Sequence, residues 1–284
     1  MNKRRWNNVK KELIKNKFAL MALIILILFS ILSLLAFLSP FDPNKMSIPD
    51  RLQPPSAEHL FGTDDYGRDY LTRALYGGRV SLAVGFLSMI VAVTVGTAVG
   101  TISGYFGGWI DNILMRIVEV LMSIPSFFLM LLLNAYMKPG IRTLVIIIGL
   151  MTWMEISRIV RSETLSVKER EYVMYAKASG QSSVFIILKH IIPNIASTII
   201  IAGTLNIATA ILMESSLSFL GLGVQQPNSS WGSMLNNAQG YIGDAWHLTL
   251  FPGFLILLTV LSFNVLGNVL RVAFEPKGTT LQKK

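Results

Sequence analysis

The chain contains no cysteine. That removes disulfides, thiolate nucleophiles and cysteine metal sites together. Histidine is almost as scarce: His59, His190 and His247 are the three, and they lie far apart in sequence. Charge is thin as well. Asp, Glu, Lys and Arg make up 14% of the 284 residues, against about a quarter in an ordinary soluble domain. The phosphate-cradling pattern G-x-x-x-x-G-K-[ST] is missing, as are H-E-x-x-H and G-x-S-x-G. The chain therefore brings no ATP chemistry and no recognisable hydrolytic site of its own. This ranks an intramembrane enzyme low.

What is abundant is apolar sequence. Hydrophobic residues are 52% of the total. They fall in runs of about 20, enough for a helix to cross roughly 30 Å of hydrocarbon. Six spans are expected: Phe18–Ser39, Val80–Phe106, Ile113–Met137, Thr143–Ile159, Ile195–Leu220 and Leu248–Val269. The first is too long for a signal-peptide core, and no small-x-small cleavage site follows it, so it reads as an anchor that stays in place. The expected class is an all-α membrane protein.

The net charge is +9. In a soluble protein that balance would point to nucleic acid. Here it orients helices, because Lys and Arg collect in cytoplasmic loops. With the N-terminus inside, residues 1–17, 107–116, 158–190 and the tail from 271 carry 18 of the 25 Lys and Arg. Both termini are then cytoplasmic. Residues 1–17 form a cytoplasmic segment, 18–39 the first span, 40–79 an extracytoplasmic segment, 80–272 a core with five spans, and 273–284 a cytoplasmic tail. Nucleic acid drops out as a partner and membrane lipid takes its place.

Inside the spans, Gly96, Gly100 and Gly104 recur every four residues and share one helix face. Small faces let helices approach closely in lipid. Pro125 and Pro252 are expected to bend the third and sixth spans. Glu119, Glu155 and Glu214 are costly at membrane depth. Glu214, with Asn206 and Ser215, gives the fifth span a polar side. That side either looks into the bundle or lines a wet path. The "FLGLG" and "PNSSWG" pieces after it read as non-helical backbone at the outer mouth.

The stretch "EYVMYAKASGQSSVFIILKHIIPN", Glu171–Asn194, is too organised for a mere connector. "SVKE" at 166–169 has capping-box form. It predicts a helix of about twelve residues ending at Gly180, a residue suited to a left-handed helix terminus. Ser182 or Ser183 can cap a second helix running toward Pro193. The coupling loop as a whole covers about 160–193. A stand-alone channel would not need this helical pair.

Gly180 followed by Ile192-Pro193 resembles the E-A-A…G…I-x-L-P motif of ABC importer permeases, with Met174, Tyr175 and Ala176 at the E-A-A positions. Three further blocks occur in chain order. "HLFGTDDYGRDYLTRALYGGRVSL" (59–82) contains Gly62, Asp64, Gly67, Arg68 and Asp69. "GYFGGWID" (104–111) and "SLSFLGLGVQQPNSSWGSML" (216–235) follow. All are similar to the C-type permease subunits of oligopeptide, dipeptide and nickel systems.

The resemblance implies a type I permease with six spans in the cell membrane. It implies a second, B-type permease, two ATP-binding subunits that hold ATP and Mg, and an extracytoplasmic substrate-binding protein. The chain itself would hold no cofactor and no metal. Tyr172, Val173, Met174, Tyr175, Ala176, Lys177, Gly180 and Pro193 become the candidate ATPase-coupling residues, with Val173, Tyr175 and Ala176 as the docking surface. The implied cargo is short peptide, with nickel or a metal chelate as the alternative. Asp64, Asp65 and Asp69 sit among Arg68 and Arg73. They read as an ion-paired structural motif or a contact with the second permease rather than a metal site.

Overall fold

Apolar runs must satisfy their backbone groups internally, and this chain does so with helices. A computed structural model describes residues 3–274, with side chains described from Asn7 onward. The expected tail, 273–284, lies almost wholly outside those residues. Helix α1 (Lys3–Lys15) breaks at Asn16, whose side chain accepts from the Phe18 and Ala19 amides and caps α2 (Lys17–Leu34). A 3-10 turn, Leu35–Leu38, prolongs α2. The chain then winds through an irregular segment to α3 (Tyr70–Phe106). After it come α4 (Gly108–Met122), α5 (Ser126–Tyr136), α6 (Ile141–Lys168) and the short α7 (Glu171–Ala178). Helix α8 (Ser183–Ile186) passes through a π turn (Ile187–Ile191) into α9 (Ile192–Phe219). Helices α10 (Trp231–Ala238) and α11 (His247–Phe274) complete the order. Among the described residues the fold is all-α, with a lone β-bridge between Thr63 and Asp69.

Among the described residues, five helices are long and apolar enough to cross a membrane alone. The sixth crossing exists only if α4 and α5 count as one span, and they are bent by 82°. The expected third span is thus a broken one. Pro125 lacks an N–H and closes the gap between the helices, so the two halves cannot share a hydrogen-bond ladder. Three other boundaries also differ from expectation. Residues expected as a simple N-terminal segment form α1. Helix α3 begins at Tyr70, because Asp69 caps it by accepting from the Thr72 amide at 2.9 Å. Helix α6 runs to Lys168, straight through the "SVKE" pattern. Ser166 is mid-helix and Glu169 is the C-cap, so no capping box forms there.

The bundle is organised around α3. Its glycine stripe meets α6: a Cβ on Gly96 would lie 2.8 Å from the Ile156 Cβ, and one on Gly104 would lie 2.7 Å from the Thr164 Cβ. Only glycine permits that approach. Helix α9 packs against α3, α6 and α11, while α2 lies along α11 and α3. Three apolar clusters follow. One joins Tyr70, Ile211, Trp231 and Leu248, and another joins Val84, Met130, Leu144 and Leu217. The third, around Ile156, Val160, Val167 and Ile195, lies beneath α7 and α8. Chain direction puts α7 and α8 at one end of the bundle, here the hairpin end, and residues 40–69 with α10 at the far end. Leucine, isoleucine and phenylalanine on the outer faces of α2, α4 and α5 are exposed, as lipid contact requires.

Candidate functional site

At the hairpin end, α7 starts at Arg170 without a side-chain cap and covers eight residues. It is shorter than the expected twelve. It ends where expected, at Gly180, with φ of +74°. The Gln181 amide donates to the Ala176 carbonyl at 3.2 Å and the Gly180 amide donates to the Lys177 carbonyl at 3.1 Å. These two bonds make a complete Schellman motif. A Cβ on Gly180 would meet nothing within 4 Å, so the backbone angle and not crowding calls for glycine. Ser182 then accepts from the Phe185 amide at 3.3 Å and starts the second helix. That helix does not stop at Pro193. Pro193 is the second residue of α9, which follows directly on the π turn, so its missing N–H falls inside a helical run that continues through it.

The faces of α7 correct the expected docking surface. Val173 is 2% exposed and Ala176 is also buried, both within the cluster that holds Val160, Ile186 and Ile191. They anchor the hairpin to the bundle. Tyr175 is 72% exposed. With Tyr172, Met174 and Lys177 it forms the outward face, continued by Val184, Phe185 and Leu188. The spacing carried this signal: positions 173 and 176 share a helical face, and 175 does not.

Beside the hairpin, α4 and α6 enclose an open cleft of about 1020 Å³. Its walls carry Glu119, Glu155 and Glu163 with Arg116, Arg158 and Arg161. Arg116 and Glu119 pair at 3.2 Å, exposed to solvent. The cleft mouth is braced by Asp111, which accepts a fork from Arg161 with Nε and Nη2 both at 2.5 Å, and also bonds to the Ser103 hydroxyl. One carboxylate thus ties α3, α4 and α6. Asp111 belongs to the "GYFGGWID" block, whose Gly107 and Gly108 both take positive φ to reverse the chain.

The polar residues of α9 do not line this cleft. Glu214 is wholly buried. Its carboxylate accepts from the Ser81 hydroxyl at 2.9 Å and from the Ser218 hydroxyl at 2.7 Å. Ser81 also accepts from the Trp231 amide at 3.2 Å, and Ser218 accepts from the Val224 amide at 3.1 Å. Asn206 and Ser215 are buried within the bundle. Of the two readings open from sequence, Glu214 takes the interior-bonded one, whereas Asn206 is buried with its Oδ1 unpartnered among the described residues. The "PNSSWG" piece is also not loose backbone. Ser230 caps α10 in a reciprocal box with Ser233, and Gly232 lets α10 close onto α9, where a Cβ would lie 2.6 Å from the Ser215 Cα.

At the far end, the charged block is a knot. Asp64 accepts from the Arg68 and Tyr66 amides at 3.0 and 2.9 Å and from Arg68 Nε at 2.7 Å, and pairs with Arg73 at 3.4 Å. Asp69 caps α3 and meets His59 Nδ1 at 3.2 Å. Burial, then the neighbouring Asp64 charge, pushes the Asp65 carboxyl above its ordinary value. Gly62 and Gly67 hold positive φ in the loop, and a side chain on Gly67 would collide with the Ser47 carbonyl. His59 and His247 face different partners, Asp69 and the Thr63 carbonyl. Among the described residues no cluster of His, Asp and Glu has the form of a metal site.

Comparison with known proteins gives consistent matches. A family model described as a binding-protein-dependent transport system inner membrane component matches residues 96–279. One for the N-terminal TM domain of oligopeptide transport permease C matches residues 4–55. The chain is 43% identical to the dipeptide transport system permease protein DppC of Alkalihalophilus pseudofirmus, over 96% of this chain and 90% of that one. It is 41% identical to the oligopeptide transport system permease protein OppC of Haemophilus influenzae, over 96% and 88%. A solved structure of the MetNI methionine ABC transporter, in an inward-facing conformation, superposes with a TM-score of 0.60 at 19% identity, over 72% of this chain and 98% of that chain.

Proposed function

Since the chain belongs to the family of binding-protein-dependent transport system inner membrane components, we propose that it moves short peptides into the cell as one of two permeases. The observation that carries this reading is the hairpin: a rigid helical pair, anchored by Val173 and Ala176, that presents Tyr172, Met174, Tyr175, Val184 and Phe185 outward. In a free chain such a face is wasted. Against a partner subunit it is a docking surface.

In this reading the hairpin end faces the cytoplasm, which the distribution of Lys and Arg supports. Two ATP-binding subunits carry ATP and Mg and dock there. Their closure pushes α7, and through the shared cluster with Val160 and Ile195 it pushes α6 and α9. The cleft between α4 and α6 opens at the same end and forms the inner part of the path. Its mixed charges suit zwitterionic cargo. An extracytoplasmic binding protein delivers the cargo at the far end, where the Asp64–Arg68–Arg73 knot holds the outer loop, and the second permease completes the path. The protein lies in the cytoplasmic membrane. Dipeptide and oligopeptide transport in the relatives' names supports peptide as the substrate class.

The test is uptake by cells lacking the gene, offered labelled di- to hexapeptides and, separately, nickel and metal chelates. Peptide uptake should depend on the gene. It should be restored by the wild-type chain and not by Gly180→Pro, which cannot hold the +74° angle. Loss of metal uptake with intact peptide uptake would reassign the cargo.

A further inference from the structure

Helix α1 lies at the hairpin end, apart from α7 and α8. It lies against the C-terminal half of α11, with Val9 buried. Its opposite side is unusual. Lys10, Lys11, Lys15 and Lys17 are all exposed, and none of the four enters an ion pair among the described residues. Between them stand two bare apolar side chains, Ile14 at 74% and Phe18 at 72% exposure. Lys10 and Ile14, and Lys11 and Lys15, are each four residues apart on α1, so cations and an apolar group share adjoining rows there, and Lys17 and Phe18 follow at the start of α2, across the break at Asn16.

Beside these rows, at the break between α1 and α2, is an open cleft of about 400 Å³. It is lined by Phe18, Val265, Val269 and Val272 together with Asn16, Asn268 and the acidic Glu12. An acidic protein surface would match the lysines and leave the exposed Ile14, Phe18 and Val272 in water. A neutral lipid would cover the apolar groups and leave four ammoniums unmatched. One ligand answers both: a phosphate-bearing headgroup for the lysines and an acyl chain for the cleft.

We propose that the junction of α1, α2 and α11 is a binding site for an anionic phospholipid. Lys10, Lys11, Lys15 and Lys17 take the headgroup, and Phe18, Val265, Val269 and Val272 take the chain. Helix α1 then lies in the membrane interface and holds the start of α2 and the end of α11 at a fixed depth.

The experiment uses the whole purified transporter, stripped of lipid in detergent and titrated with phosphatidylglycerol or phosphatidylcholine, with bound lipid counted by native mass spectrometry. The wild type should retain phosphatidylglycerol over phosphatidylcholine by about tenfold or more, and added salt should erode the preference. Replacing all four lysines with Gln should abolish it, whereas replacing them with Arg should keep it. Val272→Asp, at an exposed wall of the cleft, should weaken retention of both lipids. Inorganic phosphate should not compete at the same concentration, because it lacks the chain. Equal retention of both lipids by the wild type, or undiminished preference in the Gln variant, overturns the proposal. So does loss of the ATP-binding subunits from the Gln variant with its lipid preference unchanged.

Discussion

Tyr175→Ala separates docking from folding. Tyr175 stands on the outward face of α7 at 72% exposure. Removing it creates no cavity and strands no hydrogen bond, so stability should stay within about 0.5 kcal/mol of the wild type. If the ring is an anchor in a partner's pocket, its loss costs about 2 kcal/mol of docking energy, roughly a thirtyfold drop in affinity. Val173→Ala is the converse case. Val173 is 2% exposed and packed within the cluster of Val160, Ile186 and Ile191. Deleting its methyl groups should cost about 2 kcal/mol of stability, from lost transfer energy plus the cavity. Two measurements decide the matter: the affinity of the purified ATP-binding subunit for the reconstituted permease pair, and the thermal midpoint of the solubilised chain. Tyr175→Ala should lose affinity and keep its midpoint, while Val173→Ala should lower the midpoint. Unchanged affinity in Tyr175→Ala would refute the assignment of the outward face.

Substitutions at two further sites, each with a control, test the bundle. Gly100→Ala sets two effects against each other: alanine gains about 1 kcal/mol in helix propensity, while overpacking costs about 1–3 kcal/mol. A Cβ there would lie 2.5 Å from the Ser157 carbonyl oxygen and 2.8 Å from the Val160 Cβ, so the clash should win and the thermal midpoint should fall. Gly253→Ala, where a Cβ meets nothing within 4 Å, is the control and should not fall. Glu214→Ala should cost about 2–4 kcal/mol by leaving buried hydroxyls without their acceptor, and Glu214→Gln should recover only part of it, because its one amide oxygen can accept from one of the two hydroxyls. Protease sensitivity of residues 220–230 reads the result, because Ser81 and Ser218 hold Trp231 and Val224 through the same network.

Much of this architecture is legible without coordinates, for physical reasons. Apolar length betrays a span because lipid offers no hydrogen bonds. The four-residue glycine spacing betrays the α3–α6 contact because small side chains are the means of close approach. Gly180 betrays its turn because few other residues hold positive φ cheaply. Other features depend on what lies nearby in space. The S-x-x-E pattern at 166–169 is present, yet the residues before it are already helical, so Ser166 never meets free amides. Pro125 announces a bend but not its size; 82° follows from how α4 and α5 lean on different neighbours, α3 and α6. Helix α10 hides in a stretch of proline, serine and asparagine because Trp231 and Gly232 bury it against α3 and α9, not because it is apolar. The charged cleft is built from residues on two separate helices, and no local pattern joins Glu119 to Glu155.

The continuity of α8 and α9 explains how a docked hairpin can act at a distance. From Ser183 to Phe219 the helix runs through 37 residues without a break, about 55 Å at 1.5 Å per residue. Pro193 is where it should fail, since the ring would strike the carbonyl four residues earlier. The π turn at 187–191 directly precedes the proline and the run stays helical through it, with the Asn194 side chain donating to the His190 carbonyl at 2.6 Å. The rod therefore stays whole between Phe185, on the outward face, and Glu214, inside the serine network. At its far end that network grips Trp231 and Val224, and so α10 and the loop that precedes it. Under the proposed reading, a push on the hairpin reaches the opposite mouth through one stiff element with bonded contacts at both ends. A flexible joint at Pro193 would absorb the push, which is a physical reason for a proline and a π turn to occur together at this point.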